Sequence, residues 1–107
     1  MDYGLLYVVC RNRKESSKIA AQLLSKRIIA CANIVPSIDS VFRWKGKIRR
    51  QKESLLLCKI RKKDFSKAAK EIEACHSYSI PCIALLDIDG LNNAYGGWLA
   101  SEIGKKK

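Results

Sequence analysis

The sequence lacks most features that would identify an enzyme or a membrane-spanning protein. It contains one histidine and two prolines in 107 residues, and it has no Gly-rich phosphate loop and no serine elbow motif. No apolar run approaches the roughly 18 residues that a transmembrane helix needs. The first residues include no basic segment before a hydrophobic one, so no secretory signal is expected. We therefore expect a protein that is not an enzyme and has no membrane partner.

Acidic residues are also scarce. Ten Asp and Glu stand against 21 Lys and Arg, which gives a net charge of +11. The basic residues concentrate in Arg43–Lys52, in Lys59–Lys63 and in a tail at Lys105–Lys107. Such an excess favours anionic partners, although an ordinary solvated surface is a simpler explanation than a specific nucleic-acid site. We expect salt-dependent association with polyanions and no specific nucleic acid.

The five cysteines are an odd number and form no closely spaced pairs. This pattern is typical of reduced thiols rather than of a disulfide framework. It predicts a cytoplasmic location.

The sequence is organised around one long hairpin. With 107 residues and 48% hydrophobic content, the chain is expected to form a single domain over residues 1–107. Within it, Ile28–Ile60 is predicted to form two long strands joined at Lys45-Gly46, because Gly46 supplies the positive φ of a tight turn. Pro36 cannot donate a ladder hydrogen bond, which predicts a bulge or a sheet edge there. A hairpin this long is expected to extend beyond the rest of a small sheet.

The remaining segments predict an α+β domain. The expected elements are a buried strand at Leu5–Cys10, a helix from Asn12 to about Lys26, a helix capped by Asp64, a strand at Ile80–Ile88 and a short helix from Asn92 or Asn93. The order βαββαβα is that of a ferredoxin-like fold, in which two helices cover one face of an antiparallel sheet. Several strands are apolar on both faces, so the second face needs another cover. This predicts self-association, since an exposed apolar face would aggregate.

The same topology predicts that Cys10, His76 and Cys82 lie at one end of the sheet. Thiolate and imidazole together suit a soft metal ion such as copper, or zinc. A simpler interpretation applies to each residue alone, because a lone cysteine is usually a small buried hydrophobe and a histidine after a helix often caps carbonyls. Cys10 and His76 also suggest a nucleophile and a base, but no third residue is predicted to orient the histidine.

Four motifs resemble the CutA family of divalent-cation tolerance proteins. They are Ala30-Cys31-Ala32-Asn33-Ile34, the hairpin segment Ser40–Ile48, His76-Ser77-Tyr78-Ser79-Ile80-Pro81 and Tyr95-x-x-Trp98-Leu99, within a match from Leu5 to about Glu102. The resemblance implies a ferredoxin-like fold, a homotrimer in which the hairpins pack across subunits, and a link to copper and other divalent cations. It also points to Cys10 and His76 as metal ligands.

The sequence departs from the family pattern where carboxylates are usual. The family usually has H-P-Y-E-x-P-E, but here Ser77 replaces the proline, and Ser79 and Cys82 replace the acidic residues. Lys45 replaces the acidic residue before the hairpin glycine. Loss of oxygen ligands weakens hard-ion binding, so a soft copper ion is the expected cofactor.

The predicted function is divalent metal cation (copper) tolerance by a trimer that binds metal or a small ligand at an inter-subunit cleft. The alternative is a basic RNA-binding module, because RRM domains share the βαββαβ order. That alternative requires exposed aromatic residues on the third strand, where bases stack. The segment Lys47–Leu57 contains none.

Overall fold

The computed structural model describes residues 2–104. Its elements are β1 (Tyr3–Cys10), α1 (Arg13–Ser25), β2 (Ile29–Trp44), β3 (Lys47–Arg61), α2 (Phe65–Cys75), β4 (Ile83–Asp87) and α3 (Asn93–Glu102). The strands form one antiparallel sheet in the order β2-β3-β1-β4. The predicted α+β class is confirmed, while the basic tail at Lys105–Lys107 lies outside the described residues.

The long hairpin is the largest feature of the sheet. Its turn places Lys45 at φ 50° and Gly46 at φ 77°, the pair of positive values that tight two-residue hairpin turns need. The ladder pairs Arg43 with Ile48 and breaks register between Val35 and Ile38. That break surrounds the proline of β2, so the predicted bulge is confirmed.

The two faces of the sheet are covered unequally. On one face, α1 and α2 pack over a core whose fully buried members include Leu6, Val8, Leu56, Cys58, Ile60, Ile19, Leu23, Ala68 and Ile72. On the other face, Leu5, Tyr7, Val9, Leu55 and Leu57 are only half-buried. The α3 segment contributes Leu99 and Ile103 against Tyr3 at one end of that face. Two helices therefore cover one face, as predicted, and most of the other remains open.

Two local predictions are wrong. The last strand begins at Ile83 rather than Ile80, because Pro81 cannot donate to the ladder and Ile80 points into solvent. Asp64 precedes α2 but makes no capping bond; its carboxylate accepts a hydrogen bond from Arg61 Nε at 2.7 Å instead. Within residues 2–104, no helix has the length and apolarity to cross a bilayer.

Candidate metal site

Three side chains with metal-binding atoms meet at the end of β1. The ligand atoms of Cys10, Glu15 and His76 all lie within 4.8 Å of one another. Cys10 is the last residue of β1, Glu15 is in the first turn of α1, and His76 directly follows α2. Cys10 and His76 were predicted to meet here, whereas Glu15 was not identified as a ligand from the sequence.

Cys82 does not join this group. It is exposed in the loop before β4, and its link to β1 is a backbone bond in which Val9 N–H donates to the Cys82 carbonyl at 3.3 Å. Its side chain lines a neighbouring concavity instead.

Glu15 connects the start of α1 to the loop after α2. Asn12 Oδ1 caps α1 by accepting from the Glu15 N–H at 2.9 Å, as the capping pattern predicts. The Glu15 carboxylate accepts from the Arg11 N–H and from the Ser77 N–H, each at 2.8 Å. Burial opposes ionisation, but the hydrogen bonds from Arg11 and Ser77 outweigh it and lower the pKa of Glu15 below its ordinary value. The carboxylate is therefore ionised and already partnered.

The side chain of His76 is fully buried, and both of its ring nitrogens have partners. Tyr78 N–H donates to Nδ1 at 3.0 Å, and Nε2 lies 2.8 Å from the Val9 carbonyl. Because Nδ1 accepts a hydrogen bond, Nε2 carries the proton and donates it to Val9. A metal ion at Nδ1 would have to replace the Tyr78 N–H.

Cys10 is buried in the core, with the Ser16 hydroxyl as its hydrogen-bond partner. Burial raises the pKa of the Cys10 thiol, and a hydrogen bond with Ser16 offsets only part of that rise. Ser16 Oγ in turn lies 2.7 Å from Ser54 Oγ, inside the core. The thiol is therefore protonated at neutral pH and has no access to a bulky substrate. A metal ion would have to displace the thiol proton, because only the thiolate is a ligand or a nucleophile.

A concavity of about 700 Å³ opens beside this group, between the hairpin and the loop before β4. Its lining includes Phe42, Trp44 and Cys82. On the same surface, Tyr78 donates its hydroxyl hydrogen to Glu53 Oε2 at 2.5 Å. Burial and then the Glu53 hydrogen bond and charge raise the pKa of Tyr78, so this proton stays on the phenol.

Known proteins of the same fold are close to this chain throughout its length. This chain is 35% identical over 98 residues to the chloroplastic protein CutA of Arabidopsis thaliana. The match covers 92% of this chain and 54% of the Arabidopsis protein. The chain spans about half the length of the curated plant relatives it matches. The crystal structure of CutA1 from Oryza sativa has a TM-score of 0.94 at 31% identity, with 99% and 97% of the two chains covered.

The comparisons correct the expected location. The structure described as the periplasmic divalent cation tolerance protein CutA of Archaeoglobus fulgidus has a TM-score of 0.91 at 32% identity, covering 94% of this chain and 97% of that one. Relatives named chloroplastic and periplasmic contradict the cytoplasmic prediction. The prediction failed because it relied on unpaired thiols. Cys10 and Cys58 are enclosed by the core, where a cysteine behaves as a small hydrophobe whatever the compartment.

The match to the family is continuous rather than confined to motifs. The model of the family CutA1 divalent ion tolerance protein matches residues 4–102 of this chain. That range includes every strand and helix except the first residue of β1. The chain therefore belongs to the CutA1 divalent ion tolerance family.

Proposed function

We propose that this protein acts in divalent-cation tolerance as a homotrimer of ferredoxin-like domains that binds a soft metal ion, with copper as the expected ion. It binds rather than catalyses, since the one cysteine–histidine pair at the site is buried. Family membership supports the connection with divalent cations. The alternative of an RRM-like RNA-binding module has no support from the comparisons.

The observation that carries the metal proposal is the meeting of Cys10, Glu15 and His76 within 4.8 Å. A thiolate and an imidazole favour copper or zinc over calcium or magnesium, which require several oxygen ligands. Binding has two costs: the thiol proton must leave, and the ion must compete with Tyr78 N–H for Nδ1. Affinity should therefore weaken as the pH falls.

The trimer proposal rests on the uncovered face of the sheet. Leu5, Tyr7 and Leu57 are half-buried there in the single chain, and Leu86 is exposed at the edge of the same face. Contiguous apolar surface of this kind is typical of an interface. The concavity beside Trp44 continues this face, so a neighbouring copy would convert it into an inter-subunit cleft with room for a small ligand. Light scattering should give three times 12.1 kDa, and a monomer at micromolar concentration would contradict the assembly.

A titration with Cu(I) under reducing conditions tests the metal site. Cys10→Ala and His76→Ala should each weaken binding at least tenfold, because each removes one of three ligands. Cys31→Ala and Cys82→Ala are the matched controls, since each removes a thiol outside the group. Equal affinity in all the proteins would mean that surface thiols bind copper adventitiously, and His76 would then be only a structural residue that holds the loop after α2.

A further inference from the structure

The distal half of the hairpin carries a cluster of positive charge that the protein does not neutralise. In the part of the chain that the structure describes, Arg43, Lys45, Lys47, Arg49 and Arg50 take part in no ion pair. Lys52, nearer the body of the sheet, pairs with Asp39 at 2.6 Å. The side chains of this distal segment are exposed. The charge is therefore available to an external anionic partner.

The same segment exposes aliphatic side chains. Ile48 is 66% exposed and Val41 is 55% exposed. The ladder pairs Val41 with Arg50 and Arg43 with Ile48, and cross-strand partners lie on the same face of a sheet. Residues 41 and 43 also share a face, because side chains alternate along a strand. One face of the ribbon therefore presents two arginines and two aliphatic residues together.

Val41, Arg43 and Ile48 lie away from the surface that the trimer would use, whereas Arg50 also lines the edge of the concavity. Phe42 and Trp44 alternate with Val41 and Arg43, so they lie on the opposite side of the ribbon, where they line the concavity. Assembly through Phe42 and Trp44 would therefore leave Val41, Arg43 and Ile48 open.

We propose that the face formed by Val41, Arg43, Ile48 and Arg50 docks on an anionic lipid surface. The two arginines contact lipid phosphates, and Ile48 and Val41 enter the boundary between headgroups and acyl chains. The turn residue Lys45 adds charge at the tip. The protein lies on the bilayer and does not cross it, as surface-binding amphipathic segments do.

The combination of charge and exposed aliphatic residues favours a lipid surface over a nucleic acid. A phosphodiester backbone would engage the arginines, but it offers nothing apolar to Ile48 and Val41. An anionic bilayer offers both a negative surface potential and an apolar layer a few ångströms below it. A lipid surface therefore accounts for all four side chains.

Co-sedimentation of the full chain with vesicles tests the proposal. Binding is measured on equimolar phosphatidylcholine and phosphatidylglycerol, and on pure phosphatidylcholine as the uncharged surface. Each basic residue near an anionic surface contributes about fivefold in partitioning, so the double change Arg43→Gln and Arg50→Gln should weaken binding roughly 30-fold. The matched control is Lys63→Gln with Lys70→Gln, which removes the same charge from exposed positions near and on α2.

A second pair of changes separates the lipid surface from other polyanions. Val41→Ser with Ile48→Ser should weaken vesicle binding roughly tenfold through lost apolar contact. It should leave binding to a homopolymeric single-stranded RNA unchanged, because the charges remain. Both positions are largely exposed, so the folded structure should tolerate these changes.

The expected results are binding to the anionic vesicles, weak binding to the neutral ones, and separate losses from the arginine and the aliphatic pairs. The proposal is overturned if the control pair at Lys63 and Lys70 loses as much binding as the arginine pair, because the attraction is then diffuse. It is also overturned if the aliphatic pair has no effect on vesicles, or if RNA binds at physiological salt while vesicles do not.

Discussion

Replacing Glu15 with alanine should destabilise the fold by about 2 kcal/mol, although the residue lies at the surface end of the site. The carboxylate accepts two backbone hydrogen bonds at 2.8 Å, from Arg11 and Ser77. Hydrogen bonds to a charged group are each worth roughly 1.5–3 kcal/mol, but both freed N–H groups lie near solvent and can be hydrated. Hydration of these groups offsets part of that sum, so a net loss of about 2 kcal/mol is expected. A loss of this size corresponds to a fall of roughly 8–16 °C in the thermal midpoint of a domain of this length.

The pH dependence of this loss in stability shows whether the Glu15 carboxylate causes it. The folded pKa of Glu15 is lowered, so its contribution to stability is present above the unfolded value of about 4.3 and is lost as the pH falls through the folded value. The difference in free energy of unfolding between wild type and Glu15→Ala should be constant above about pH 5 and narrow below about pH 4.

Urea unfolding at fixed protein concentration, repeated across this pH range, measures the effect. Glu73→Ala is the matched control, because Glu73 is exposed and should change the free energy of unfolding by less than about 0.5 kcal/mol. If Glu15→Ala matches the control at pH 7, or if its cost persists unchanged at pH 3, the two hydrogen bonds do not hold this end of the molecule together.

Two further substitutions test the surface around the concavity. Trp44→Ala should lower the thermal midpoint and loosen the trimer in light scattering, because the side chain is 45% exposed in the single chain and is expected to be covered by a neighbouring copy. An unchanged mass and midpoint would place Trp44 outside the interface. Tyr78→Phe should reduce the free energy of unfolding by about 1–3 kcal/mol, because it removes the donor to the buried Glu53 carboxylate. Gln51→Ala, which removes an exposed donor to the Tyr78 hydroxyl, should cost less, and equal costs would refute this account.

Local sequence signals predicted the parts of the fold that depend on neighbouring residues. Gly46 marked the hairpin turn, Asn12 marked the start of α1, and Pro36 marked the bulge. Each of these residues acts through its own backbone geometry or through bonds to residues within one turn. The neighbouring sequence is therefore enough to predict the local structure. Lys45 adopting a positive φ was less predictable, because that conformation is rare for a lysine.

The candidate site was harder to predict because its bonds join distant residues. Glu15 stands three residues after the cap of α1, a position that indicates only a local role, yet its second oxygen accepts from Ser77, 62 positions along the chain. Asp64 had the right type and position to cap α2, but the guanidinium of Arg61 pairs with its carboxylate instead. Cys82 lies at the predicted end of the sheet, but which way its side chain points depends on the loop that Pro81 introduces. Topology can place a residue at one end of a sheet without deciding which side chains touch.

The order of the strands along the chain also determines when each pair of strands can form during synthesis. The hairpin of β2 and β3 pairs residues that are close along the chain, so its ladder can close early and independently. The central strand β1, made first, has partners that come roughly 50 and 80 residues later. During synthesis, β1 therefore remains unpaired and exposes its apolar residues until β3 is available, and its second edge stays open until Ile83–Asp87 has emerged. The strand that is most deeply buried in the folded protein therefore remains without its strand partners for the longest time during synthesis.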